Sequence, residues 1–248
     1  VCARELEVEH IKDCQTNDLG TPFLDSIFNI AQSRSNYDLQ MYINADIVFT
    51  HPLENMITCL ENNISATQNF LLTGQRHDID SNLDLEHNDD LNKLKSKILA
   101  VEERAKLHGP AGLDYFIFRK NSFILPPFLI GRPCWDNWLL WHCYNQKFMI
   151  INATGSLKIL HQNHDYSHSK TGGKGRVLGE EWDYNVKVAG GYANQENLRC
   201  QTHHLDNNLI NPRSIHSRLL YKIYSKIFGR TLLALLRYGR YMLKNRQK

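Results

Sequence analysis

The chain of 248 residues contains no run of about 18 apolar residues, which excludes a membrane-spanning helix within it. It has no Cys-x-x-Cys pair. Its six cysteines, Cys2, Cys14, Cys59, Cys134, Cys143 and Cys200, are widely separated, which removes zinc-cluster readings and favours reduced thiols in the cytoplasm over a disulfide framework. There is no His-Glu-x-x-His, no internal repeat, and no low-complexity linker ahead of the C-terminal segment. Acidic residues are missing altogether after Asp206, whereas ten lysines and arginines follow it; residues 1–212 carry 26 acidic against 19 basic side chains. An acidic body with a basic tail is the result. The chain opens on Val1 rather than Met, and residues 1–6 read as the tail of a helix leading into a short strand near Val8–Ile11, so an upstream segment is expected.

In the tail, Leu219, Leu220, Ile223, Ile227, Leu232, Leu233, Leu236 and Leu243 recur at helical spacing, with Gly229 as a break between two amphipathic helices. Such basic amphipathic helices suit an anionic membrane surface, here through residues 213–248, and equally suit packing on the chain's own domain. Nucleic acid is not expected, because basic charge alone does not select it. Two Asn-x-Ser/Thr sequons, at Asn63 and Asn152, acquire meaning only in a secretory lumen.

The body alternates helix and strand. Thr21 to Gln32 reads as a helix with Thr21 as N-cap and Pro22 in its first turn, followed by an apolar strand from Leu39 that ends at Asp46. Pro52–Asn62 reads as a helix, Asn69–Arg76 as a strand and Leu91–Leu107 as a helix. Gly109 to Arg119 is a glycine-rich approach to an aromatic strand, Pro126–Pro133 a loop, and Trp135–Tyr144 a helix with Asp136 in its first turn. Short strands follow at Phe148–Ile151 and Leu157–Leu160, the second running into His161-Gln-Asn-His-Asp-Tyr-Ser-His168. This pattern predicts an α/β fold with a mixed, mostly parallel sheet flanked by helices.

Three places carry chemistry. Asn44-Ala-Asp46 closes a buried strand, where open α/β sheets bind ligands, and its oxygens suit a hard divalent cation or serve merely as a turn. His161 and His164 supply imidazoles just past another strand; with Asp46 they form a candidate Mn2+ or Mg2+ site, or else are surface histidines. Asp136 is a candidate general base, favoured at a helix N-terminus and desolvated by Trp135 and Trp138, or a helix cap with tryptophans in the core. Arg76 and Arg132 are candidates for bidentate phosphate binding, or for surface cover. A hydrolase would need a second acid near Asp136, and Asp114 is the nominee.

Gly20-Thr-Pro, Tyr42-Ile-Asn-Ala-Asp46, Gly112-Leu-Asp-Tyr-Phe-Ile-Phe-Arg119, Pro126-Pro-Phe with Gly131-Arg132, Trp135-Asp-Asn-Trp-Leu139 and His161 to His168 together resemble the nucleotide-diphospho-sugar transferases of GT-A fold, more narrowly the glycosyltransferase family 2-like proteins. The resemblance runs from about Val1 to about Gly191. It implies a GT-A-like domain over residues 1–200, its first strand missing, and a basic helical tail over 201–248. It further implies transfer of a sugar from a nucleotide-diphosphate donor to a glycan, lipid or other hydroxyl acceptor, inverting and metal-dependent. Asn44-Ala-Asp46 would stand for the metal-binding DxD motif, with Asn44 replacing its first carboxylate. Asp136 would be the base, and His161 or His164 the late metal ligand. Asn44, Arg76, Gly112, Asp114, Tyr115, Arg132, Trp135, Asn137 and Trp138 would line donor and acceptor. The alternative is a non-catalytic carbohydrate- or membrane-surface-binding module derived from a transferase. Localisation is expected to be cytoplasmic with peripheral membrane association, or the secretory lumen if an upstream segment carries a signal or anchor.

Overall fold

A computed structural model describes residues 2–5, 7–79, 90–162 and 179–225. The helices are α1 (Cys2–Glu5), α2 (Leu24–Arg34), α3 (Glu54–Asn63), α4 (Leu91–Glu102), α5 (Trp135–Asn145), α6 (Glu180–Val188) and α7 (Ile215–Tyr224). The strands are β1 (Leu39–Ile43), β2 (Ile47–Phe49), β3 (Phe70–Thr73), β4 (His77–Ile79), β5 (Lys106–Leu107), β6 (Tyr115–Arg119), β7 (Met149–Asn152), β8 (Ile159–Gln162), β9 (His203–Asp206) and β10 (Leu209–Pro212). Six of them form one sheet in the order β1-β6-β3-β7-β9-β10, and four form a smaller sheet in the order β2-β8-β4-β5.

Alternation along the central strands sends neighbouring side chains into two separate cores. Leu71, Phe116, Phe118 and Ile150 face one side, where α2 and α5 bring Leu24, Phe28, Trp135, Trp138 and Leu139. Phe70, Leu72, Tyr115, Ile117 and Ile151 face the other, against Met56 and Leu60 of α3 and against Ile47, Phe49 and Ile159 of the small sheet. The large sheet is thus the middle layer. The fold is α/β with mixed sheets, as expected, but not mostly parallel: of the eight described pairings across both sheets, β3·β7, β4·β8 and β7·β9 are parallel and five are antiparallel.

Several element boundaries differ from the sequence reading for local reasons. The helix expected from Thr21 begins at Leu24, because Pro22 and Phe23 form β-bridges to Thr16 and Leu129 and the Leu24 N–H goes to the Phe128 carbonyl. Val8–Ile11 forms no strand. The helix expected over 91–107 stops at Glu102, and Lys106–Leu107 pairs with β4 instead. The apolar run from Leu39 to Phe49 is two strands, since β1 belongs to the large sheet and β2 to the small one, with Asn44-Ala-Asp46 as the corner between them. Helix α6 and the β9–β10 hairpin had no counterpart in the sequence reading. The hairpin turns through Asn207 and Asn208, both in left-handed backbone, as a two-residue turn with matching twist requires. It extends the sheet to Pro212, past residue 200 where the body was expected to end.

Helix α7 is the described beginning of the basic tail; the expected break at Gly229 lies outside the described residues. Ile215, Leu219, Leu220 and Ile223 are exposed on it, whereas Tyr221 packs towards the core. Among the described residues no helix is long and apolar enough to cross a membrane. The five cysteines whose side chains are described are free.

Leu140 is fully buried on α5. Leu140→Ala is expected to destabilise the protein by about 2–5 kcal/mol, read by urea denaturation, because the cavity adds to the lost transfer energy.

Candidate functional site

The C-terminal ends of β1, β3 and β7 and the N-terminal end of β6 share one edge of the large sheet, by the register of their pairings. At that edge Asn44 is held on three sides. Its N–H donates to the Asp114 carbonyl at 2.8 Å, its amide Nδ2 donates to Asp114 Oδ1 at 2.8 Å, and its Oδ1 accepts the Tyr42 hydroxyl at 2.9 Å. Asp114 is buried and faces Arg76, whose Nη1 lies 3.4 Å from both carboxylate oxygens. The same guanidinium donates through Nε to Asp78 Oδ1 at 2.9 Å.

The small sheet completes the cluster. Its register sets Asp78 beside His161 and Ile47 beside His161, so the chain on either side delivers one carboxylate to each imidazole nitrogen. His161 Nε2 lies 3.3 Å from Asp46 Oδ2, and Nδ1 lies 3.8 Å from Asp78 Oδ1. Asp78 Oδ2 meets His108 Nδ1 at 2.6 Å. The His108 ring lies so close to Gly112 that a Cβ there would come within 2.2 Å of it. Gly112 therefore serves packing of His108 rather than contact with a ligand.

Asp136 joins from α5, whose first turn is set by Cys134 in a left-handed backbone conformation (φ 88°) that a non-glycine residue rarely adopts. Part of Asp136 reaches solvent, yet protein surrounds its carboxyl. Burial, with the charge of Asp114 adding to it, pushes Asp136 up to about 6 against the opposing Asn137 N–H and Arg76. Asp114 is likewise raised, by burial first, with Arg76 and His161 offsetting part of the effect. Burial also raises Asp78, but the His108 hydrogen bond and the Arg76 charge outweigh it and leave Asp78 below the usual carboxylate range. Tyr42 is driven far above its ordinary value by burial and by Asp136, Asp114 and Asp46, which places its hydroxyl among three acids.

Of the residues expected from sequence, Asn44, Asp46, Arg76, Asp114, Asp136 and His161 come together, and Gly112 borders them. Trp135 packs edge-on against Tyr42 at 4.9 Å, behind the cluster. Tyr115 is fully buried in the core across the sheet. Trp138 stacks on His142 and packs against Phe128, a core role rather than a sugar platform. Arg132 is bound through Nε and Nη2 to Glu181 of α6, so its charge is matched there. Asn137 gives its N–H to Asp136 Oδ1 and accepts the Glu196 N–H at its carbonyl, while its side-chain Nδ2 is buried with no hydrogen-bond partner among the described residues. His164 lies outside the described residues. Asp78 and His108 were missed by sequence reasoning, since neither stands in a motif; only the pairing of β4 with β8 and β5 brings them in.

Among the described residues no group of three is placed to hold a metal ion. Asp46 and His161 face each other instead of a shared point, and Asn44 has both ends of its amide engaged. The described donors do not fit a metal in this arrangement. What the cluster can do is exchange protons near neutrality and hydrogen-bond hydroxyl groups. No family model, curated protein or solved structure matches the chain.

Removing Arg76 would leave Asp78 and Asp114 with only the histidines to offset their charges. Arg76→Met is expected to cost about 3 kcal/mol at pH 7 and less as the pH falls and the carboxylates take up protons, as read by urea denaturation. Asp136 has the opposite signature. Between about pH 4 and pH 6 the folded protein retains a proton that the unfolded chain has released, so this group lowers stability as pH rises through that window. Asp136→Asn is expected to gain about 2 kcal/mol over wild type between pH 4 and pH 7.

Proposed function

We propose that the chain is a transferase of the nucleotide-diphospho-sugar class, GT-A-like in fold and glycosyltransferase family 2-like, with Asp136 as the base. The observation that carries this reading is a carboxyl held near 6 in the first turn of α5, beside Tyr42 and Asp114 at the sheet edge. Such a group is ionised at neutral pH yet basic enough to take a proton in the transition state. The acceptor hydroxyl would give its proton to Asp136 while its oxygen bonds to the anomeric carbon and the nucleoside diphosphate departs, inverting that centre. The mixed α/β sheet and its oxygen-bearing strand ends support the same reading.

Within the cluster, Asp114 is a positioning residue: it anchors Asn44 by two hydrogen bonds and raises Asp136. Arg76 is committed to Asp78 and Asp114, so it balances charge and is not offered as a phosphate ligand. Asp78 and Asp114 flank the one guanidinium, so the donor diphosphate would have to meet other groups than Arg76.

One observation favours the second reading, a non-catalytic carbohydrate-binding module. The amide of Asn44, at the position of a metal-binding carboxylate in the resembled family, joins Tyr42 to Asp114 through one hydrogen bond at each end.

The deciding experiment is calorimetric titration with a panel of nucleoside diphosphates and their sugars, with and without Mn2+, followed by transfer assays on whichever donor binds. Asp136→Asn is expected to lower transfer by about 100-fold or more while leaving donor binding intact. Wild-type turnover is expected to rise through about pH 6 and then level off. Binding of free sugar with no nucleotide binding would establish the module instead, and undiminished turnover of the Asn variant would remove Asp136 from the chemistry.

A further inference from the structure

At the opposite edge of the large sheet, where the parallel strands β3, β7 and β9 begin, lies a cleft of about 450 Å3 between the end of α5 and the face of α7. Its apolar surface comes from Tyr144, Phe148 and Tyr221, the two tyrosines meeting edge to face at 6.2 Å. Around this surface stand Lys147, Arg213, Arg218 and Lys222 with His203, and among the described residues no acidic side chain lines it. Glu196 sits behind Tyr221 and accepts its hydroxyl. Residues 207–248, which include α7, contain no acidic side chain.

Two of the cations are positioned at a conformational cost or by several bonds. Helix α5 ends in a Schellman motif, with Phe148 N–H on the Cys143 carbonyl at 2.9 Å and Lys147 N–H on the Tyr144 carbonyl at 3.1 Å. The left-handed position of that motif ordinarily takes glycine, and Lys147 occupies it at φ 62°. Arg213 is tied at both ends: its N–H donates to Thr202, its Nη1 to the Arg199 carbonyl, and its guanidinium covers the Tyr221 ring at 5.9 Å. The crowding has an independent sign in His203, whose imidazole is lowered by burial first and then by the charge of Arg218. Like charges converging on a concave surface favour an anion that enters it.

We propose that this cleft binds a phosphate-bearing ligand, with Lys147, Arg213, Arg218 and Lys222 around the anion and Tyr144, Phe148 and Tyr221 against the organic part. The chemistry is shared by a soluble phosphorylated molecule and by a phospholipid headgroup; the exposed Ile215, Leu219, Leu220 and Ile223 lie on the next face of α7, where a lipid surface would meet them. The site stands apart from the Asp136 cluster and does not depend on its reading.

The test uses the full chain in EDTA, titrated with inorganic pyrophosphate and separately with phosphatidylcholine vesicles containing phosphatidic acid. Arg218→Gln/Lys222→Gln is expected to weaken binding at least about tenfold, whereas Arg237→Gln/Arg240→Gln, in the tail beyond α7, changes it less than about twofold. Lys147→Gly suits the backbone at its position, so it is expected to weaken binding without lowering the melting temperature. Cleft-dependent binding of pyrophosphate alone assigns a soluble ligand; cleft-dependent binding of vesicles as well assigns a headgroup. If pyrophosphate and vesicles bind the cleft variants as they bind wild type, or if the tail variant loses as much, the proposal is overturned.

Discussion

One guanidinium carries the candidate site. Arg76 lies between Asp78 and Asp114, and those two carboxylates are the nodes to which everything else is attached: Asn44 and Tyr42 through Asp114, His108 and His161 through Asp78, and Asp46 through His161. Acids this close disfavour one another's ionised form, and burial adds to the penalty. The His108 hydrogen bond and Arg76 keep Asp78 low, whereas burial raises Asp114 and Asp136, with a neighbouring carboxylate adding to it in each. The raised base at the edge thus follows from burial first and from sparse compensation second.

The same economy links stability to chemistry. Cys134 in a left-handed conformation and Asp136 with a disfavoured charge both lower stability, and both fall in the first turn of one helix. The helix is nonetheless secured by its other face, where Trp138, Leu139, Leu140 and Cys143 are buried against the sheet. Burial of that size offsets two local costs of order 1–3 kcal/mol each.

Much of the layer structure was legible from residue patterns. The apolar strands around Phe70, Phe116 and Ile150 and the helix at Trp135 were found because their periodicity is strong and their ends carry turn residues. The corner at Asn44-Ala-Asp46 reads from sequence as a strand end, because an apolar run looks the same whether it crosses one sheet or passes between two. The expectation of a mostly parallel sheet failed for a related reason: strand direction depends on which strands pair, and β1, β3 and β6 pair across long separations in sequence. Arg132 and Trp138 carried suitable chemistry, yet Glu181 and His142 claim them, partners that only packing of α6 and the turn-to-turn spacing within α5 supply. Asp78 and His108 were hidden for the converse reason, being ordinary residues given a role by sheet register.

Helix α5 also explains why the two edges of the large sheet differ in sign. Its N-terminus carries a partial positive charge and meets the acidic cluster through Asp136; its C-terminus carries a partial negative charge and meets Lys147 and the basic cleft. Eleven residues span about 16 Å, so the two ends are separated by more than a Debye length at physiological salt. Acids gathered at one end and bases at the other are each favoured by the helix and kept apart by its length. A phosphate entering the basic cleft therefore shifts the titration of Asp136 little through the field alone. Coupling between the edges would have to pass through packing, by movement of α5 against β3 and β7, and those contacts are among the most deeply buried in the chain. The two edges are accordingly expected to bind independently, each set by its own charges.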